Sequence, residues 1–260
     1  MKVVVTGGTG FVGRELVTQL ALAGYQIDLL TRHPRHEAAV KLARRTGAHI
    51  VSGDVFDRSS LDAFQGAGAI IHLVGIISES RRNTFENAHV RATENVVAAA
   101  RAAGVSRFLH MSALGTRPDA VSRYHQTKWQ AEQIVRNSGL DWTIFRPSII
   151  YGPGDQFVNR FTRIARWSPV VPVLGRGTFQ PIPVREVAWC FVRALDQPAS
   201  IGKTFDLVGP EVLTMAEILK AILATAGRRR LLVRVPLLAA RLLARLLEAC
   251  SRITDRKSVV

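Results

Sequence analysis

Tyr124 and Lys128 lie four residues apart in Tyr124-His125-Gln126-Thr127-Lys128. On a helix, that spacing sets the phenol and the ammonium on one face. A cationic lysine beneath a phenol favours the phenolate and lowers a pKa that is ordinarily about 10. Tyr124 could then donate or accept a proton while a hydride moves nearby. Ser112, in His110-Met111-Ser112-Ala113, adds a hydroxyl upstream of the pair as a further candidate catalytic residue.

A second chemical signature lies near the N-terminus. Gly7-Gly8-Thr9-Gly10-Phe11-Val12-Gly13 follows a short apolar run, with Gly7, Gly10 and Gly13 at every third position. Glycine permits a tight turn and lets backbone N–H groups approach a pyrophosphate, which then sits at the positive end of a helix. This is a variant of the dinucleotide fingerprint, with Gly7, Thr9, Gly10, Phe11, Val12 and Gly13 as expected contacts. The type of dinucleotide is read at Thr31-Arg32-His33-Pro34-Arg35. An acidic residue at the end of the second strand would accept from a ribose 2′-hydroxyl. Arg32 stands there instead, suited to a 2′-phosphate, with Arg35 in support. NADP(H) is therefore expected ahead of NAD(H). Asp54 and Val55 are placed to meet the adenine, and Leu73, Val74 and Gly75 to pass the ribose-phosphate.

Both signatures need elements to position them. Val3–Val5 is a β-branched run fit for a strand covered on both faces. Residues 11–23 follow with helical spacing, Phe11, Leu16, Leu20 and Ala23 being set for one buried face, and Gly24 ends them. Further strands are expected at 25–31, 49–51, 69–74, 107–111 and 142–145, with helices at 36–46, 59–65, 84–104 and 121–138. This alternation predicts an α/β fold, a doubly wound parallel sheet over residues 1–150. A smaller α+β lobe is expected over 151–235, with strands returning to the core. Residues 156–167 read as an amphipathic helix bearing Arg160, Arg163 and Arg166, and Thr214 as the cap of a helix over 215–226.

The chain has 260 residues, with 35 Lys+Arg against 20 Asp+Glu, a formal charge of +15. At 47% hydrophobic and 21% charged, it is no disordered polymer. Cys190 and Cys250 are too few for a disulfide scaffold or a four-ligand zinc site. No run reaches the roughly 20 apolar residues of a membrane span, and the N-terminal run is too short for a signal peptide. These features suggest a cytoplasmic protein. Close to half of the charge, a net +7, lies in 228–260, and its part 236–260 is a leucine-rich tail whose wheel gathers Arg241, Arg245, Glu248 and Arg252 into one polar stripe. Such a tail suits its own lobe, a partner's apolar surface or an anionic membrane interface. Nucleic acid is not expected: aromatic residues are few and no recognition motif appears.

Taken together, Thr6-Gly7-Gly8-Thr9-Gly10-Phe11-Val12-Gly13, the Tyr124/Lys128 pair and Arg146-Pro147-Ser148-Ile149-Ile150-Tyr151-Gly152-Pro153 resemble the extended and atypical branch of the short-chain dehydrogenase/reductase superfamily. The likeness spans about residues 1–235. Within that branch, His72-Leu73-Val74-Gly75-Ile76, Phe108–Leu114 and Gly154-Asp155-Gln156-Phe157-Val158-Asn159 are most similar to bacterial relatives of the NADPH-binding accessory subunit of respiratory complex I (alpha subcomplex subunit nine). The resemblance implies a Rossmann domain holding NADP(H) tightly. It also implies that Lys128 bonds the nicotinamide ribose and that Pro147 and Ile149 line the nicotinamide. One departure is plain. Ala113 occupies the slot where extended members carry Ser or Thr, and Ser112 stands one place earlier.

Three functions follow from the resemblance. The first is a cofactor-binding protein of the complex I accessory type, peripheral on the inner membrane, with residues 236–260 meeting the respiratory complex or anionic lipid. The second is an active oxidoreductase, or a nucleotide-sugar epimerase or dehydratase, using Tyr124 and Lys128 on a small-molecule or quinone-like ligand. The third is an NADPH-sensing regulator. Ala113 and the tail favour the first, and the intact Tyr124/Lys128 pair the second.

Overall fold

The computed structural model describes residues 1–57, 62–80, 83–175 and 177–235. Seven parallel strands form the central sheet: β1 (Lys2–Thr6), β2 (Gln26–Thr31), β3 (His49–Ser52), β4 (Ala69–His72), β5 (Arg107–Met111), β6 (Asp141–Pro147) and β11 (Lys203–Leu207). Their order is β11-β6-β5-β4-β1-β2-β3. The chain therefore runs outward from β1 to β3, then crosses back to start again at β4. That reversal opens a crevice at the carboxyl ends of β1 and β4, where open α/β sheets bind ligands.

The sequence explains the layers. Val3, Val4 and Val5 are all fully buried because helices cover both faces. One face packs on α1 (Phe11–Leu22), α2 (Glu37–Thr46) and α6 (Val184–Leu195) through Leu16, Leu20, Leu42 and Phe191. The other packs on α3 (Ala92–Ala102) and α4 (Arg123–Arg136) through Val96, Ala100 and Val135. Local signals set the helix ends. The Ser122 hydroxyl accepts from His125 N at 3.3 Å to open α4, and Gly47, at φ 71°, closes α2 in the left-handed region. Arg107 is buried yet satisfied: it donates to the carbonyls of Asp141 and Ala194 and to the hydroxyls of Thr143 and Ser200, pinning β5 to β6 and α6.

The chain divides into two compact units. The first comprises Met1–Gly152 and Ile182–Gly209, so β7 (Ile150–Tyr151), β10 (Ile182–Pro183), α6 and β11 belong with the sheet. The second comprises Pro153–Pro181 and the chain from Pro210 on. It holds α5 (Gln156–Trp167), β8 (Val170–Leu174), β9 (Thr178–Phe179), β12 (Leu213–Thr214), α7 (Met215–Thr225) and β13 (Leu231–Val235). The continuous 151–235 lobe expected from sequence is thus interrupted, because 182–209 is apolar enough to complete the first unit's core. A capping box joins Thr214 to Glu217 at the start of α7, as Thr214 suggested.

Three local expectations change. The helix expected at 59–65 is a 3₁₀ turn over Asp62–Phe64, with 58–61 outside the described residues. The helix expected at 84–104 begins as a π-helical stretch, Glu86–Arg91, before α3. Ala23 is exposed and belongs to no buried stripe; Val12, Leu16, Val17 and Leu20 form it instead. The tail at 236–260 and Cys250 lie outside the described residues. Among those described, no helix is long and apolar enough to cross a membrane.

Candidate functional site

Each signature residue sits at the carboxyl edge of the sheet. Gly7 leaves β1 at φ 75°, and its carbonyl accepts from Gly10 N at 3.0 Å, closing the turn. A methyl group on Gly7 would lie 3.0 Å from Val74 N and 3.1 Å from the Leu73 carbonyl carbon, so the turn presses against the segment after β4. Gly13 has no room at all, since a Cβ there would collide with the Gly7 carbonyl oxygen and the Gly8 backbone. Gly10 begins α1 with extended backbone, no side chain caps the helix, and its first turn carries no acidic residue. The first N–H groups of α1, including those of Val12 and Gly13, therefore keep their hydrogen-bonding capacity and positive dipole for an anion. Thr9 is half-buried between the glycines. This cradle fits a dinucleotide pyrophosphate.

The loop expected to meet the adenine lies where β2 and β3 end together, with Thr31 paired to Ser52. Arg32 is exposed there and lies 5.5 Å over the ring of Phe56. Asp54 Oδ1 accepts from Phe56 N at 3.0 Å and shapes that loop, while Val55 is buried beneath it. Arg35 is exposed one turn away. Phe56 carried no sequence signal, because only the parallel register brings it beneath Arg32.

Lys128 is buried on α4, and its ammonium donates to the Met111 carbonyl at 3.0 Å. A methyl group on Gly75 would lie 2.9 Å from Lys128 Nζ, so the segment after β4 passes directly over the ammonium. Burial lowers the Lys128 pKa to about 8, partly offset by Glu132. Glu132 is fully buried and accepts two hydrogen bonds of 2.7 Å from Arg146 and one of 3.3 Å from Arg136.

Tyr124 packs edge-on against Phe85, His89 and His125, at centroid distances of 5.7, 5.3 and 5.0 Å. Burial raises its pKa above the ordinary value. The lowering expected from Lys128 is not what this environment gives: among aromatic rings, the charged phenolate loses solvation, and the hydroxyl stays protonated.

Ser112 is buried. Its N–H donates to Phe145 O at 2.7 Å, and its hydroxyl donates to Thr116 at 3.4 Å. Ala113 is half-buried beside it. Pro147 closes β6 and accepts from Leu114 N at 2.9 Å, and the Ile149 carbonyl accepts from Ile182 N at 2.9 Å. The segments after β5 and β6 and the strand β10 are thereby tied into one floor.

Three buried histidines complete the site, and sequence reasoning missed them. The His89 ring binds Ile76 through Nε2 and the Thr127 hydroxyl through Nδ1 at 2.9 Å. Thr127 donates to the carbonyls of Arg123 and Tyr124, so its oxygen accepts from His89 Nδ1–H, and Nε2 accepts from Ile76 N–H. This neutral ring staples the segment after β4 to the helix that carries Tyr124 and Lys128. His72 joins Thr6 Oγ1 at 2.7 Å and Thr93 Oγ1 at 3.3 Å. The His110 ring stacks on His72 at 5.5 Å, and neither of its nitrogens has a hydrogen-bond partner. Burial, then Lys128, lowers the pKa of His72 and of His89 to about 3, and both push His110 well below its ordinary value.

The chain matches the NAD(P)H-binding family over residues 7–198. It belongs to the NAD(P)H-binding, short-chain dehydrogenase/reductase-like proteins. Within that family it is 35% identical, over 224 residues, to mitochondrial NADH dehydrogenase [ubiquinone] 1 alpha subcomplex subunit 9 of Arabidopsis thaliana. That match covers 82% of this chain and 55% of the relative. The mouse counterpart is 31% identical, over 86% of this chain and 61% of its own length. The chain thus spans somewhat over half the length of these subunits. A ceramide reductase of Caulobacter vibrioides is 32% identical over 260 residues, covering 99% of this chain and 80% of that protein. Among solved structures, a UDP-glucose 4-epimerase of Thermotoga maritima superposes with a TM-score of 0.77 at 20% identity, over 91% of this chain and 86% of its own. At that identity the likeness concerns the Rossmann-type fold alone. The short-chain dehydrogenase/reductase resemblance and the NAD(P)-binding function drawn from sequence are borne out.

Proposed function

We propose that this protein is an NADP(H)-dependent reductase that delivers a hydride to a carbonyl and a proton from Tyr124 to its oxygen. The observation that carries the reading is Tyr124, half-buried among aromatic rings, one helical turn before the buried Lys128, whose ammonium lies against the Gly75 segment at the carboxyl edge of the sheet. When bound, the reduced nicotinamide supplies the hydride. The chain's own residues do the rest. Tyr124, kept protonated by its apolar surroundings, is set up as a donor in the reducing direction. Lys128, cationic below about pH 8, stabilises the phenolate left after that transfer and binds the ribose beside it. Gly7–Gly13 hold the pyrophosphate, Arg32 pairs with the 2′-phosphate, and Pro147 and Ile149 border the nicotinamide. Ser112 supports the floor through its hydroxyl contact with Thr116. A reductase relative matched over 99% of this chain supports the assignment, and its name suggests a lipid-like carbonyl as the substrate class.

A second reading, a nucleotide-holding subunit of a respiratory complex, is favoured by Ala113 in the serine slot and by the burial of Ser112. One assay separates the two. Nicotinamide absorbance is followed with purified protein, NADPH and a panel of long-chain ketones, sugar-nucleotide ketones and quinones. The reductase reading expects turnover with at least one carbonyl, and its loss in Tyr124→Phe with NADPH binding retained. NADPH held unoxidised across the panel would favour the subunit reading.

A further inference from the structure

In the second unit, β8 and β13 run parallel, with Leu231 beside Val170 and Val233 beside Pro172. The alternate residues Val171, Val173 and Leu232 turn inward onto α5 and α7. The opposite face is apolar and open: Val170 is 37% exposed, Val233 40% and Leu231 65%. Trp167, 81% exposed, lies three residues before β8, and Leu231 N donates to Pro169 O at 3.0 Å, which ties the start of β13 to the turn between them. Large apolar residues exposed singly are ordinary, but a contiguous row marks a contact surface.

The charge around this row has one sign. Arg166 lies 5.7 Å over the Trp167 ring, and Arg229 is exposed two residues before β13. No acidic residue occurs in 156–181 or in 218–235. The chain then leaves β13 into 236–260, whose leucine and arginine content continues the same chemistry.

We propose that the outward face of β8 and β13, together with Trp167, docks on an anionic phospholipid surface. Tryptophan prefers the membrane–water boundary, the valines and leucine enter the acyl edge, and arginine stems lie along apolar surface while their guanidinium groups meet lipid phosphates. An acidic protein partner would match the charge, but a flat, two-stranded apolar face with arginines at its rim offers no pocket for a specific anchor. This docking stands independently of turnover.

The full chain is sedimented with phosphatidylcholine vesicles with and without phosphatidylglycerol. Binding is expected only with phosphatidylglycerol, and it should weaken as salt rises. The triple variant Trp167→Ser/Leu231→Ser/Val233→Ser should lower partitioning by at least roughly tenfold. Arg166→Glu/Arg229→Glu should lower it comparably, with circular dichroism and NADPH affinity unchanged in both. Equal binding to pure phosphatidylcholine, or no binding to either vesicle, would overturn the proposal. So would triple-variant binding equal to the parent's, which would assign the membrane contact to 236–260. If light scattering finds a dimer that the triple variant converts to monomer while vesicle binding persists, the face belongs to a second copy and the proposal fails.

Discussion

The three buried histidines make a quantitative demand on stability as pH falls. His72 and His89 are neutral when folded, with pKa values lowered to about 3, and His110 is pushed in the same direction. In the unfolded chain each returns to an ordinary value of about 6.5. The unfolded state therefore binds more protons below that value, so stability is complete above about pH 6.5 and is lost as pH falls through it. Between about pH 7.5 and 5.5 each histidine removes about 1.4 kcal/mol, or about 4 kcal/mol for the three. Lys128 shares the direction but not the window: lowered to about 8, it is protonated in both states below that pH and adds a constant. Urea unfolding followed by circular dichroism at the two pH values reads the difference directly. His110→Leu isolates one member, because both of its ring nitrogens lack partners and leucine fills a similar volume. That variant should stay folded and reduce the pH-dependent loss by about one third. Stability flat across this window, or an unchanged slope in His110→Leu, would refute the assignment of neutral buried rings.

Other consequences follow from named contacts. Gly13→Ala places a methyl group into the Gly7 carbonyl and the Gly8 backbone, so it should cost about 1–3 kcal/mol in a thermal melt and abolish NADPH binding in calorimetry. Glu132→Ala leaves the half-buried Arg146 without its two 2.7 Å hydrogen bonds and should destabilise by about 1–3 kcal/mol in denaturant unfolding. His89→Ala cuts the link between Ile76 and α4, and is expected to weaken nucleotide affinity in fluorescence titration more than it lowers the melting temperature.

Much of the first unit was legible in sequence because its strands are apolar runs and its punctuation is glycine. The turn at Gly7–Gly13 and the Tyr124/Lys128 pair are local patterns, and local patterns survive in one dimension. The histidine cluster is not local. His72 comes from β4, His110 from β5 and His89 from a π-helical stretch, and no spacing links them. Ser112 shows the limit of motif reading in another way. Its residue type suited a catalytic hydroxyl, but its N–H joins the β6 ladder through Phe145 O, and the turn that follows buries the side chain against Thr116. The direction of the Tyr124 pKa was likewise set by Phe85 and His89, which sequence placed far from it. The expected return of strands to the core is found in residues 182–209, where α6 and β11 complete the sheet's own core.

The central claim is that the cradle at Gly7–Gly13 holds a dinucleotide whose 2′-phosphate is read by Arg32. Calorimetric titration of NADPH and NADH against the same protein, repeated with Arg32→Ala, tests it most directly. The account predicts NADPH binding at least roughly tenfold tighter than NADH, a preference that Arg32→Ala erases by weakening NADPH alone. Equal affinities in the parent protein, or equal losses for both nucleotides in the variant, would contradict it.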